Sequence, residues 1–233
     1  MHAHLARLII LSLLVLLPLA GCDKYAAEKT AIRDTYDRYR AASDSRDGST
    51  AASLVSESSF EHNDRTTGYA LSMPTEKLKA LSAAERFDTL HTRHMTAGDK
   101  SVIRSLQTLK GAPLWAFMVT QGWNSADKYE VKLGKIRVNG SSAEMEIYYD
   151  GEKDDVPVYF VKDGGKWLLD FSQDQRFNRT FASYSRKHKI SENELFMLML
   201  EEMSGREPDR KIIWKPLGSG SGSSGGGNPL LDN

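Results

Sequence analysis

Hydrophobic positions in the first half of the chain recur with the period of an α-helix. Ile32, Tyr36 and Tyr39 stand at i, i+4 and i+7, which predicts an amphipathic helix over about 26–45. Capping residues and further apolar residues at helical spacing continue this pattern beyond a turn at 44–49. They predict short helices at 51–55, 74–81, 82–94 and 99–109.

The period of the hydrophobic pattern changes after Gly111. The almost wholly apolar run 112–119 predicts a strand covered on both faces. Alternating residues then predict an antiparallel meander, with a β-bulge at Gly134-Lys135 and a tight hairpin at Asn139-Gly140. Later strands are predicted over 143–149, 156–160 and 167–171, and two final helices over 177–184 and 191–203. The predicted fold class is α+β: N-terminal helices packed in a curved, bulged antiparallel sheet, plus a C-terminal helix pair.

The N-terminal segment has the pattern of a secretory signal. Arg7 is the only fixed charge before the apolar run 8–17, which is too short for a transmembrane helix of about 20 residues. The next residues, Leu19-Ala20-Gly21-Cys22, resemble the bacterial lipobox, where a prolipoprotein is acylated on cysteine and cut just before it. We therefore expect a signal peptide at 1–21, a lipidated tether at 22–25, and a lipoprotein on the periplasmic face of a bacterial membrane.

Balanced charge and a single cysteine exclude several classes of function. The chain has 31 basic and 31 acidic residues, and loss of the signal peptide leaves a net charge of −1. Nucleic-acid binding needs a basic surface, so no nucleic-acid partner is expected. Once Cys22 is lipidated no thiol remains for disulfides, zinc or nucleophilic catalysis. Asp23, the next residue, favours retention at the inner membrane by a rule that holds in some Gram-negative bacteria.

The terminal hairpin resembles that of a known superfamily. The segment Val161-Lys162-Asp163-Gly164-Gly165-Lys166-Trp167 is similar to a final hairpin common in bacterial secreted members of the nuclear transport factor 2-like superfamily. The segment 75–93 also resembles their middle helices, and the resemblance covers about 26–172. It implies a conical pocket inside a curved sheet. The C-terminal helix pair departs from the simple form of the fold, so we expect a domain at 26–215 with a C-terminal helical extension, followed by a Gly/Ser-rich tail at 216–233. Enzymes, ligand carriers and protein-binding modules share this fold, so no catalytic residue can be transferred.

Histidines and carboxylates offer candidate chemistry. On a strand, His62 and Asp64 would share a face and suit an acid–base pair, with Arg93 or a tyrosine stabilising developing charge. The alternative, which we favour, is a polar loop after the second helix. His91 and His94 stand at i, i+3, whereas familiar helical zinc pairs stand at i, i+4. We therefore expect packed or solvated histidines, and no metal or cofactor.

Aromatic residues in the second half of the chain are candidates for a binding surface. Trp115 and Phe117 are expected in the core, as is Trp167 of the terminal hairpin. Trp123 lies in a turn-like setting and is expected at an exposed binding rim, where aromatic side chains serve as anchors. Tyr148 and Tyr159 complete this predicted rim. The acidic segment 150–155 is expected to be a solvated hairpin tip rather than a calcium site.

Two functions follow as hypotheses. The leading one is a non-enzymatic lipoprotein that binds a protein partner or a small apolar ligand, one form of which is an immunity-type inhibitor of a toxin that reaches the envelope. The alternative is a small acid–base enzyme of the isomerase, dehydratase or hydrolase type that uses His62 and Asp64. A buried, facing pair would favour the enzyme, and an exposed Trp123 would favour binding.

Overall fold

Nine α-helices and a five-stranded antiparallel sheet form the described part of the chain, residues 24–96, 98–123 and 130–219 of a computed structural model. The helices before the sheet are α1 (Ala26–Asp44), α2 (Gly48–Ala52), α3 (Glu57–Ser72), α4 (Thr75–Lys79), α5 (Ala83–Thr96), α6 (Lys100–Thr108) and α7 (Gly111–Thr120). The strands are β1 (Val131–Asn139), β2 (Ser142–Tyr149), β3 (Glu152–Lys153), β4 (Val158–Asp163) and β5 (Lys166–Leu169). Helices α8 (Asp174–His188) and α9 (Glu192–Ser204) follow, and a short 3₁₀ turn spans Leu217–Ser219. The mixed α+β class is therefore confirmed. The predicted lipidation at Cys22 lies outside the described residues.

Helix α1 forms where the apolar period predicted it, and it packs against the sheet. Ile32 is fully buried, and the hydroxyl of Thr35 donates to the carbonyl oxygen of Trp167 on β5 at 3.1 Å. Gly48 then begins α2 in close backbone contact with α7. A Cβ atom at Gly48 would lie 2.1 Å from the carbonyl oxygen of Ala116, so only glycine permits this approach.

The prediction of a strand over 112–119 is wrong, because these residues form helix α7. A short apolar run does not distinguish a buried strand from a buried helix. Here Leu114, Trp115, Met118 and Val119 are buried among the surrounding helices. Pro113 is tolerated because it lies in the first helical turn, where its missing N–H leaves no hydrogen bond unmade.

The segment that contains His62 and Asp64 is also a helix, α3, rather than a loop or a strand. Ser56 caps it by accepting a hydrogen bond from the backbone N–H of Ser59 at 3.3 Å. Its buried face carries small polar residues such as Thr66 and Thr67 beside its apolar ones, which conceals the apolar stripe in the sequence. Residues two apart on a helix differ in direction by about 200°, so the two side chains do not share a face.

The sheet has the strand order β1-β2-β4-β5, with β3 paired to β2. The predicted bulge is confirmed by a register shift between Leu133 and Ile136. Gly134 lies at this bulge, where a Cβ atom would come within 2.7 Å of the Tyr148 ring. The predicted hairpin is confirmed by the pairing of Asn139 with Ser142. Within the described residues, β1 and β5 do not pair with each other, so the sheet is open.

Helices α8 and α9 pack mainly on α5, and Arg176 of α8 also contacts Tyr159 of the sheet. Phe87 of α5, Phe181 of α8 and Phe196 of α9 form a triangle of rings with centroids 5.1–5.4 Å apart. Ser191 caps α9 by accepting a hydrogen bond from the backbone N–H of Glu194 at 3.1 Å, and Gly205 ends the helix with a positive φ of 68°. None of the described helices is both long enough and apolar enough to span a bilayer.

Candidate ligand-binding site

A cavity of about 660 Å³ lies between the helices and the sheet. Its walls come from α1, α3, α5, α7, α8 and α9, from the sheet, and from the segments that flank β4 and β5. Apolar and aromatic side chains dominate the lining, among them Tyr149, Phe171, Phe177 and Tyr184. A volume of 300–1,000 Å³ and a mainly apolar lining are typical of small-molecule sites.

One face of helix α1 forms a wall of this cavity. Tyr36, Tyr39, Arg40, Ser43 and Asp44 line it, and their spacing of i, i+3, i+4, i+7 and i+8 places them on one stripe. Burial raises the pKa of Tyr36 well above its ordinary range, so its phenol is neutral and can donate a hydrogen bond. The Arg40 guanidinium lies 3.7 Å from the carboxylate of Asp44, one turn further along the helix.

His62 lines the cavity and is held at both ring nitrogens. Its Nε2 lies 2.7 Å from Asp88 Oδ2, and its Nδ1 lies 3.0 Å from Arg65 Nη2. A guanidinium only donates hydrogen bonds, so Nδ1 accepts and Nε2 carries the proton that is donated to Asp88. In this arrangement neither nitrogen of His62 offers a lone pair to a ligand. Asp88, which the sequence analysis did not single out, is therefore the partner of His62.

The hydrogen-bond partner of Asp64 is not His62 but the start of a neighbouring helix. Its two carboxylate oxygens accept hydrogen bonds from the backbone N–H of Gly111 at 2.9 and 3.1 Å. Gly111 is the first residue of α7, whose own N-cap residue provides no side-chain hydrogen bond. Asp64 therefore caps α7 from the neighbouring helix, and its negative charge faces the positive end of the helix dipole. The predicted His62–Asp64 pair does not form.

Arg93 is buried, with 4% of its surface exposed, and it does not line the cavity. Its guanidinium donates hydrogen bonds to the carbonyl oxygens of Tyr69, Ala70 and Met73 at the end of α3. It also donates to the carbonyl oxygen of Trp214 at 2.6 Å. Arg93 therefore links the segment after α9 to the end of α3 through hydrogen bonds, and its role is structural.

The predicted aromatic rim is not one surface. Trp123 is only 6% exposed, so the expectation of an exposed anchor is wrong: it packs edge-on against His91 and Phe117 at 6.4 Å. Tyr159 is also buried, but it lines the cavity, with the Arg176 guanidinium 4.6 Å from its ring centroid. Tyr148 is half-buried and pairs with Lys153 across the sheet, outside the cavity lining.

Four residues that line the cavity carry a buried polar atom without a hydrogen-bond partner in the described residues. These atoms are Ser43 Oγ, Asn63 Nδ2, His91 Nε2 and Trp115 Nε1. Burial is the main reason that the pKa of His91 is lowered to about 4, so its imidazole is neutral at pH 7. Buried polar atoms in native proteins are normally satisfied, and a water or ligand in the cavity would satisfy these.

The acidic segment 150–155 also contributes to the cavity, and it is not wholly the solvated tip that the sequence predicted. Asp154 is half-buried and lines the cavity, and its Oδ1 accepts a hydrogen bond from the backbone N–H of Val156 at 2.9 Å. No local pattern marks this residue, because its burial depends on the approach of helices that come from both ends of the chain.

Metal ligation has no geometric support within the described residues, where no three His, Cys, Asp or Glu side chains converge as ligands would. His94, the second residue of the helical histidine pair, instead lies with Nε2 2.7 Å from the hydroxyl of Ser204.

Comparison with known proteins adds no relative. No family model, no curated protein and no solved structure gives a significant match to this chain.

Proposed function

We propose that this protein is a bacterial lipoprotein that holds a small, largely apolar ligand in its cavity without chemically transforming it. Cys22 would carry the acyl anchor, on the periplasmic face of a membrane. The observation that carries the ligand proposal is the cavity of about 660 Å³, with its apolar walls and a few buried polar atoms. This combination is typical of sites that bind small molecules.

We also propose that the domain has the cone of the nuclear transport factor 2-like fold. Two contacts support this arrangement. Arg33 of α1 donates to the carbonyl oxygen of Gly134 at the bulge at 3.1 Å, and Thr35 donates to Trp167 at the other end of the sheet. The first helix therefore lies across the sheet from β1 to β5, and the cavity lies on the side that faces α1.

The placement of the predicted catalytic residues supports binding rather than catalysis. His62 has both nitrogens engaged, Asp64 caps a helix, and Arg93 is bonded to backbone carbonyls. A general base needs a free lone pair within reach of a substrate proton, and His62 does not offer one in this arrangement.

The acid–base enzyme is the second candidate, because His62 and Asp88 lie together in the cavity wall. It would require Arg65 to leave the Nδ1 atom of His62 when substrate enters. An immunity-type inhibitor would instead need a surface that faces a protein, and the exposed Leu198 and Met203 on α9 are the observation that favours it.

The proposal is tested by a substitution that fills the cavity and by a measurement of how much it weakens ligand binding. Thr180 on α8 lines the cavity, and its hydroxyl bonds to the carbonyl oxygen of Arg176 one turn earlier. In the full-length lipoprotein, Thr180→Trp should weaken binding of the neutral fluorescent probe N-phenyl-1-naphthylamine at least tenfold. Thr108→Trp is the matched control, because Thr108 makes the same backbone bond on an exposed helix face. Absence of probe binding to the wild-type protein, or equal binding by both variants, would overturn the proposal.

A further inference from the structure

Acidic groups outnumber cationic ones in the cavity wall. The described residues that line it include four aspartates and one arginine, Arg40. His91 adds no charge at neutral pH, because burial lowers its pKa to about 4. This excess of negative charge disfavours the binding of an anionic ligand and favours the binding of a cationic one.

Three of the four aspartates are already satisfied by neighbouring groups. Asp44 lies beside Arg40, and Asp88 accepts a hydrogen bond from His62. Asp170 accepts hydrogen bonds from the hydroxyl and the backbone N–H of Ser172 at 2.6 and 3.1 Å. Because these three carboxylates already have partners, a cationic ligand would gain little by pairing with any of them.

Asp154 is the exception. Its carboxylate accepts a hydrogen bond from the backbone N–H of Val156, and it forms no ion pair with the described residues. Its own N–H donates to the carbonyl oxygen of Ile147 at 2.9 Å, which fixes it beside β2 and next to Tyr149. Burial raises the pKa of Asp154, as expected for a carboxylate that has lost water and gained no cation.

Two tyrosine side chains lie near this carboxylate in the cavity wall. Tyr149 and Tyr184 both line the cavity. The pKa of each phenol is raised, mainly by burial and secondly by the negative charge of Asp154. Tyr36 lines the same wall. Two cations already lie near these rings. The charge of Arg40 opposes the rise in the pKa of Tyr36 and of Tyr149, and Arg40 lines the cavity. Lys187 Nζ lies 5.9 Å from the Tyr184 ring centroid, but Lys187 is exposed and does not line the cavity.

We propose that the cavity selects an amphipathic cation, an amine or a quaternary ammonium group on an apolar body, with the charged group beside Asp154, Tyr149 and Tyr184. The apolar body would then lie among rings deeper in the cavity, such as Phe177 and Phe181. A desolvated cation gains from both the carboxylate and the faces of aromatic rings. This inference rests on the proposed function and specifies the chemistry of the ligand.

The experiment compares three ligands with the same ten-carbon chain. Decyltrimethylammonium, decanol and decanoate compete with N-phenyl-1-naphthylamine for the full-length lipoprotein, each below its micelle concentration. The cation should bind at least tenfold more tightly than decanoate and more tightly than decanol. Asp154→Asn keeps the shape of the side chain and should reduce the preference for the cation over decanol to threefold or less. Asp155→Asn is the control, because Asp155 is an exposed neighbour outside the cavity lining.

The outcomes separate this inference from the proposed function. If decanol displaces the probe and the cation binds no better, the choice of a cation is wrong while the ligand-binding proposal stands. The same conclusion follows if Asp155→Asn reduces the preference as much as Asp154→Asn, because surface charge would then explain it. If the probe itself does not bind, both proposals fail.

Discussion

The Nη1 atom of Arg93 lies 2.6 Å from the carbonyl oxygen of Trp214, a residue 121 positions further along the chain. The same guanidinium satisfies carbonyl oxygens at the end of α3, so one buried cation joins three segments that are distant in sequence. Because burial lowers the pKa of Arg93 only to about 10, the side chain stays charged at neutral pH. Arg93 thus stabilises the wall that α3 and α5 contribute to the cavity.

Replacing Arg93 should therefore destabilise the fold. Arg93→Met leaves several buried carbonyl oxygens without a donor and is expected to lower the free energy of unfolding by about 3 kcal/mol. Urea denaturation of the purified protein measures this loss. Arg179→Met is a control on an exposed helix face and should change stability by less than about 0.5 kcal/mol. Equal stability of the two variants would contradict the structural role of Arg93.

Because burial lowers the pKa of His91, we expect the folded protein to lose stability in mild acid. Its pKa is about 4 in the folded protein, mainly because of burial, and about 6.5 when unfolded. As the pH falls from 6.5 towards 4, the unfolded chain takes up a proton that the folded protein does not, so stability falls. The contribution of His91 is fully present above pH 6.5, and on the order of 2–3 kcal/mol of it should be lost by pH 4.

The measurement for His91 is the difference between variants across that pH range. His91→Gln should show a shallower fall in the free energy of unfolding between pH 6.5 and 4 than the wild-type protein. His188→Gln, at an exposed position on α8, should follow the wild-type curve. If His91→Gln also follows the wild-type curve, the imidazole is not buried as described.

Substitutions at Asp64 should change the stability of the protein and not its activity at the cavity, because Asp64 caps a helix. Asp64→Ala removes the acceptor for the Gly111 N–H and should cost about 1 kcal/mol of stability. Asp64→Asn retains an acceptor oxygen and should cost less. Thermal unfolding of both variants tests this order, and probe binding at a temperature where both are folded should be unchanged. A loss of binding without a loss of stability would show that Asp64 acts at the site.

Two tryptophans should behave as core residues. Trp167 and Trp123 are 4% and 6% exposed, so replacing either by alanine should cost about 3–5 kcal/mol. The matched changes to phenylalanine leave smaller cavities and should cost less. Chemical denaturation followed by circular dichroism separates the four variants. A Trp123→Ala protein with wild-type stability would restore the original prediction of an exposed anchor.

Local signals made the helix ends and the sheet predictable. Ser191 and Asp99 cap helices where serine and aspartate precede helical apolar patterns, and Gly134 marks the bulge. The hydrogen bonds involved join residues two or three positions apart, or adjacent strands, so their pattern is visible along the chain.

The site was less predictable, because its contacts are not local. His62 and Asp88 are 26 residues apart and meet only because α3 packs on α5. The turn-like setting of Trp123 is visible in the sequence, but the residues that cover the indole leave no signal near it along the chain. The apolar run of α7 predicts a strand for the same reason: its surroundings, and not its own residues, decide between helix and strand.

The resemblance of the segment before Cys22 to a lipobox predicts where the mature protein begins. Cys22→Ser should abolish acylation and either release the protein from membranes or leave the signal peptide uncut. Mass spectrometry of the N-terminus and membrane fractionation measure both effects. Asp23→Ser is the control: it should still be acylated and cut, and in bacteria that sort lipoproteins by this residue it should move to the outer membrane. A Cys22→Ser protein that fractionates and migrates like the wild type would refute the anchor.

Helix α1 links the two halves of the proposed function, since it begins at Ala26, four residues after Cys22, and carries a wall of the cavity. The first cavity residue on this helix, Tyr36, is ten residues from Ala26, or ~15 Å along a rigid α-helix, and Asp44 is ~27 Å along it. If the acylated Cys22 holds the start of α1 at the bilayer and α1 extends away from it, a ligand would have to cross that distance through water. Such a route would favour compact amphiphiles with appreciable aqueous solubility over long-chain lipids that never leave the membrane.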